Sequence, residues 1–236
     1  MSPSVDRLFA ALEATWPPAS SQRLGPFRLR DGAGGGKRVS ATVQDGEFDA
    51  ALLDQAEAAM GARPLFQVRD GQAALDQALA ARGYAVIDPT ILYAAPIDQV
   101  AEAPRPVSLL EAWEPLAIQH QIWADGGVGP ARVAVMLRAC DPKTSFAARF
   151  RNRAAGAGFV AVHDGIAMLH ALQIEPEFRR AGVARYSVRG MAHWARNHGA
   201  TTLALAVTQR NNAARGLYEG LGMEQAGAYH YRGKSA

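Results

Sequence analysis

Val5, Leu8, Phe9 and Leu12 recur at helical spacing, and Pro17-Pro18 stops the run, which predicts a first helix over residues 4–16. Residues 26–30 and 38–43 alternate apolar and polar side chains, the pattern of two half-buried strands around a turn at 31–37. Residues 49–60 read as a helix, 64–69 as a strand, and 72–82 as a helix closed by Gly83. Pro104-Arg105-Pro106 ends the best linker candidate, 96–106. Beyond it, 109–124 and 131–139 read as helices separated by Gly126-Gly127. Residues 145–150, 158–163 and 166–174 read as successive antiparallel strands, the last two joined at Asp164-Gly165.

The stretch 169–184 then changes character. A buried strand gives way to Glu175-Pro176-Glu177-Phe178-Arg179-Arg180-Ala181-Gly182-Val183-Ala184, a basic turn that opens a helix. The first amides of a helix lack internal partners and sit at the positive end of its dipole, so this turn is an anion site. Gly182 permits close backbone approach, Ala184 keeps the next turn clear, and Arg179 and Arg180 add charge.

The spacing Arg179-x-x-Gly182-x-Ala184 resembles the acyl-CoA signature of the GNAT N-acetyltransferase superfamily. A second motif, Asn211-Asn212-Ala213-Ala214-Arg215-Gly216-Leu217-Tyr218-Glu219-Gly220-Leu221-Gly222-Met223, resembles that family's N-x-x-A-x-x-L-Y-x-x-x-G helix, with Met223 in place of the usual aromatic. The resemblance covers about the last hundred residues. It implies an α/β fold of α+β type: a mixed, mostly antiparallel central sheet flanked by helices, using acetyl-CoA as co-substrate and no metal.

The same resemblance assigns roles. Main-chain groups of Leu172, Gln173 and Ile174 would bind the pantetheine arm, and the amides of Arg180, Ala181, Gly182, Val183, Ala184 and Arg185 the pyrophosphate, with Arg179 beside them. Asn211 and Ala214 would complete the cofactor site, and Tyr218 would give a proton to the departing thiolate. Some relatives use a glutamate five residues before the motif asparagine as the base, but Ala206 stands there. His170 and Glu175 are the remaining candidates, with a water chain as the third choice. Alternation places His170 on the same side as Leu172 and Ile174, where a core role is equally open. His120, Trp123 and Asp125 fall where the family lines its acceptor pocket, although Trp123 can equally be core and Asp125 a helix-end residue.

An internal echo links the two halves. Phe66-Gln67-Val68 followed by 72–84 matches Leu205-Ala206-Val207 followed by 211–223 at a constant offset of 139. In the echo, Gln72 replaces Asn211, Leu79 replaces Tyr218, and no R-x-x-G-x-A turn precedes it. The expected organisation is a degenerate GNAT-like N-terminal domain over 1–104 and a complete catalytic domain over 105–236. Two other glycine patterns carry less: 32–38 leads into a strand rather than a helix, and Gly156-x-Gly158 reads as strand glycine.

Composition narrows the function classes. The 236 residues carry one cysteine, Cys140, so an internal disulfide is excluded, and no His/Cys grouping has zinc-ligand spacing. No apolar run approaches bilayer length, and Asp6 and Glu13 interrupt the start, so the expectation is a cytoplasmic protein with no membrane partner. The formal charge of +3 divides into −4 over 1–104 and +7 over 105–236. Scattered arginines without an aromatic platform argue against nucleic acid. The function expected is acetyl transfer to a small-molecule or peptide amine by direct attack in a ternary complex. A non-catalytic acyl-CoA sensor or structural protein is the alternative, and a homodimer is compatible with either.

Overall fold

A computed structural model describes residues 3–234. The first 104 residues supply α1 (Val5–Thr15), β1 (Ser20–Leu24), β2 (Phe27–Asp31), α2 (Lys37–Ser40), β3 (Thr42–Gln44), α3 (Leu53–Met60), β4 (Leu65–Arg69), α4 (Ala73–Ala81), β5 (Ala85–Pro96) and α5 (Ile97–Val100). The remainder supplies β6 (Leu109–Ala112), α6 (Ala117–Asp125), α7 (Pro130–Arg138), β7 (Lys143–Phe150), β8 (Arg153–His163), β9 (Ile166–Ile174), α8 (Val183–Asn197), β10 (Thr202–Thr208), α9 (Asn212–Glu219) and β11 (Glu224–Gly233). All strands join one mixed, mostly antiparallel sheet in the order β1-β2-β3-β4-β11-β5-β10-β9-β8-β7-β6.

That order reads the same from both ends once β6 is set aside, with β1 to β5 answering to β7 to β11. The two parallel pairs, β3 with β4 and β9 with β10, are each other's images. Register agrees to the residue at the centre. Ala85 pairs with Gly233 and Ala94 with Glu224, each pair being the other shifted by the 139-residue echo. Arg69↔Tyr229 and Thr208↔Thr90 are related in the same way. Each half has therefore exchanged its last strand: β5 lies between β10 and β11, and β11 lies between β4 and β5.

Two sequence expectations are corrected. Residues 109–124 are not one helix, because Leu109–Ala112 pairs with β7 as the edge strand and the helix begins only at Ala117. A four-residue strand at a sheet edge carries no period long enough to separate it from the helix that follows. Residues 38–43 likewise divide into α2 and the start of β3, because Gly36 at φ +97° turns the chain and Val39 caps a short helical turn inward. The strand β5, bearing the buried Tyr93, had no counterpart in the sequence reading.

The sheet has two covered faces. Leu169 and Val160 face α8, whose Val183, Val188, Met191 and Ala195 form one apolar cluster with them. Met168 and Ile166 face α1 on the other side, and Phe159 and Ala161 meet α6 and α7 there. Gly156 and Gly158 serve this packing. A Cβ at Gly156 would stand 2.7 Å from the Gln173 carbonyl oxygen, and one at Gly158 2.9 Å from Met191 Sδ. The N-terminal half has its own cluster of Phe27, Leu53, Phe66, Leu75, Leu79 and Tyr84, each fully buried apolar side chain stabilising by about 1.5–3 kcal/mol.

Candidate functional site

β9 and β10 pair only from Ile166↔Thr202 to Leu169↔Leu205, yet both strands run on, to Ile174 and Thr208. Beyond that point β9 follows β8 and β10 follows β5, so the sheet splits and a cleft opens. Ala171, at φ +48°, is the pivot, and the β8–β9 register slips beside it, between Ala157 and Phe159. This bulge reverses the alternation: Leu172 and Ile174 pack against the α8 cluster, whereas His170 stacks on Trp16 on the opposite face. The expected shared side of His170, Leu172 and Ile174 is thereby corrected. Among the described residues, the main chain of Leu172, Gln173 and Ile174 has no ladder partner on β10.

The turn after the cleft is built for an anion. Arg180 (φ +64°) and Gly182 (φ +82°) are both left-handed, and α8 starts at Val183 with no side-chain cap. The first amide of this segment with a partner is that of Tyr186, which donates to the Gly182 carbonyl at 3.2 Å. Among the described residues, the amides from Arg180 to Arg185 have none. Six successive N–H groups without partners at a helix start are suited to bind an anion. Nothing lies within 4 Å of the position a Gly182 Cβ would take, so the surface is open. Arg179 donates Nε–H to the Ile174 carbonyl at 3.2 Å, whereas Arg185 reaches the Gly220 carbonyl at 2.9 Å and ties α8 to α9.

Asn211 caps α9, its Oδ1 accepting from the Ala214 amide at 3.1 Å. Tyr218 is buried in the same apolar cluster that Leu172, Ile174 and Ala214 pack against. Burial pushes its phenol up to about 12. Its ring lies 6.2 Å from that of Tyr93, whose hydroxyl donates to Glu219 at 2.5 Å. Glu175, closing β9, buries Oε1 without a partner among the described residues.

His170 is 3% exposed, between Trp16 and Phe159. The Thr15 hydroxyl donates to the Ala11 carbonyl at 2.7 Å, so its oxygen accepts from His170 Nε2–H at 2.9 Å. That fixes the tautomer and leaves the Nδ1 lone pair facing Arg38 Nη1 at 3.5 Å. Burial, then the Arg38 charge, hold the imidazole well below its ordinary pKa, so the ring is neutral at pH 7.

The other sequence candidates separate. Trp123 is fully buried and donates its indole N–H to the Ala171 carbonyl at 2.8 Å, so it braces the bulge rather than lining a pocket. Asp125 accepts from Gln121 at 3.0 Å at the helix end, and His120 is exposed, edge-on to Trp123. Sequence reasoning missed Thr15, Trp16 and Arg38, which reach His170 from more than 130 residues away. No local pattern marks such contacts. Among the described residues no group of three His, Cys, Asp or Glu is placed to hold a metal, and no helix is long and apolar enough to cross a membrane.

Comparison with known proteins places this geometry. Residues 109–223 match the model of the Acetyltransferase (GNAT) family. The chain is 27% identical to the uncharacterized N-acetyltransferase YobR of Bacillus subtilis over 97% of its own length and 96% of the relative's. It shares its fold with a GCN5-related N-acetyltransferase from Kribbella flavida, at TM-score 0.74 and 16% identity, covering 100% of this chain and 97% of that one. A tandem GNAT protein from the clavulanic acid biosynthesis pathway superposes at TM-score 0.60 and 13% identity, over 94% and 85% of the two chains. Residues 109–223 of this chain therefore constitute a GNAT acetyltransferase domain.

Proposed function

We propose that this chain moves an acetyl group from acetyl-CoA to a primary amine, of a small molecule or a peptide, by direct attack in a ternary complex. The observation that carries the reading is the open run of unpartnered amides from Arg180 to Arg185, placed in line with the split between β9 and β10. Phosphates suit the amides, and an extended amide-bearing arm suits the bare edge of Leu172–Ile174 as an added strand. A free N–H on that edge serves the oxyanion of the tetrahedral intermediate.

Tyr218 is the partner of the leaving sulfur. A phenol near 12 is a poorer acid than a thiol, whose pKa is about 8.5. Tyr218 therefore acts chiefly by donating a hydrogen bond to the developing thiolate. His170 is one candidate base, although burial and the Arg38 charge both oppose its taking up a proton. Glu175, with its unpartnered buried oxygen, is the second candidate base. The palindromic sheet supports an organisation in two GNAT-like halves, 1–104 and 105–236, of which the first has lost the phosphate turn.

Calorimetry with CoA, and thiol release from acetyl-CoA with and without amines, test the reading. Binding with release only when an amine is present is the expected result. Binding without release across a broad amine panel favours the sensor reading, for which Ala206 in place of an acidic residue is the supporting observation. No heat with CoA ends both.

A further inference from the structure

The face of the sheet that carries His170 holds an arginine cluster that the transfer chemistry above leaves unused. Arg30 on β2, Arg38 on α2 and Arg69 on β4 line one narrow crevice with Gln67, Glu13 and Trp16. Arg30 is 9% exposed, and its Nε–H donates to the Ala41 carbonyl at 2.6 Å. Each of the three arginines nevertheless buries a guanidinium nitrogen without a partner: Arg30 Nη2, Arg38 Nε and Arg69 Nε.

The nearby carboxylates are committed elsewhere. Glu13 is held by both terminal nitrogens of Arg28, and Asp45 by Arg28 at 2.6 Å and Arg69 at 3.7 Å. Among the described residues neither Arg30 nor Arg38 has a carboxylate within ion-pair distance. Removing a guanidinium from water without a counter-charge is costly, and folds seldom carry that cost without a use. Tyr229 and Tyr231 lie against Arg38, but neutral phenols do not balance its charge.

We infer that Arg38 and Arg30 form the recognition site for a carboxylate carried by the amine acceptor, making an amino acid or a similar small amino-carboxylate the substrate class. The inference rests on the N-acetyltransferase reading and specifies its acceptor. A guanidinium fork matches the two oxygens of a carboxylate. A carboxylate on Arg38, whose Nη1 lies 3.5 Å from His170 Nδ1, would hold an amine one carbon away in the neighbourhood of His170. The crevice encloses only about 10 Å³, about the room of one water, so admission of the group requires the Arg38 side chain to move aside.

Two measurements separate this from the activity it rests on. Thermal shift of the protein alone, titrated with free amino acids and with the matching amino-acid amides, reads the crevice without CoA. Initial rates of thiol release with the same pairs read it during turnover. The expected results are a shift with acids only, and a kcat/KM at least tenfold higher for the acid of the best pair. Arg38→Met abolishes both differences while CoA binding by calorimetry is kept, and Arg38→Lys restores part of them. Equal shifts and rates for acids and amides, or a preference that survives Arg38→Met, overturn the inference, as does preference for an aminophosphonate over the carboxylate. A shift by acids in a protein that binds no CoA upholds the crevice and removes the acetyltransferase reading instead.

Discussion

The indole N–H of Trp123 donates to the main-chain carbonyl of Ala171 at 2.8 Å, across 48 residues of chain. Ala171 is the left-handed residue that splits the sheet, so a core side chain on α6 holds the cleft in shape. Trp123→Phe keeps most of the apolar bulk and leaves that carbonyl unpaired, at a cost of about 1–3 kcal/mol. Denaturant unfolding is expected to show that loss together with a raised KM for acetyl-CoA. Unchanged stability and KM are inconsistent with a bracing role.

Tyr218→Phe tests the sulfur partner. Because burial keeps the phenol protonated up to about pH 12, it donates across the whole working range. The variant is expected to bind CoA as tightly as the parent and to turn over about 10–100-fold more slowly. A wild-type rate takes the hydroxyl out of the chemistry.

Gly182→Ala isolates the geometry of the phosphate turn. The new methyl meets open space, so the penalty comes from φ +82°, about 1–2 kcal/mol. That corresponds to a drop of a few degrees in Tm for a chain of this size. The amides lose their left-handed arrangement, and a several-fold weaker CoA affinity by calorimetry is the expected companion. A lowered Tm with full affinity assigns Gly182 to the fold alone.

His170 supplies a pH dependence whose sign follows from its burial. The folded state holds the ring neutral, whereas in the unfolded chain it titrates near 6.5. Below about 6.5 the unfolded state binds the extra proton. The stability tied to this residue is therefore complete above that value and declines on acidification, by up to about 1.4 kcal/mol per pH unit, until the folded-state pKa is reached. Unfolding free energies between pH 7.5 and 5 in the parent and in His170→Gln measure it. Identical slopes contradict the assignment.

The family of residues 109–223 was legible because its signals are local. Gly182, Ala184 and Arg179 stand within one turn, and Asn211, Leu217, Tyr218 and Gly222 within twelve consecutive residues, so both stretches could be matched to the family's motifs. The echo at 139 residues was visible for the same reason. Its meaning was not, since nothing in Thr90 or Tyr229 reveals that the two residues face each other at the centre of the sheet. The orientation of His170 escaped because a single bulge at Ala171 cancels strand alternation, and alanine carries no mark of a positive φ. Arg38 escaped because its partners, His170, Tyr229 and Tyr231, all come from distant parts of the chain.

The seating of β11 between β4 and β5 has a consequence for biogenesis. A ribosome releases this chain from its N-terminus, so β4 and β5 emerge well over a hundred residues before the strand that must lie between them. The early half can gather its phenylalanines and leucines but has to keep a gap in its hydrogen-bond ladder until residues 224–233 have been made. Were β4 and β5 to zip together first, the late strand would find its slot taken. The nascent protein thus needs its two neighbours held apart, and the final ten-residue strand acts as the keystone that turns two half-built sheets into one.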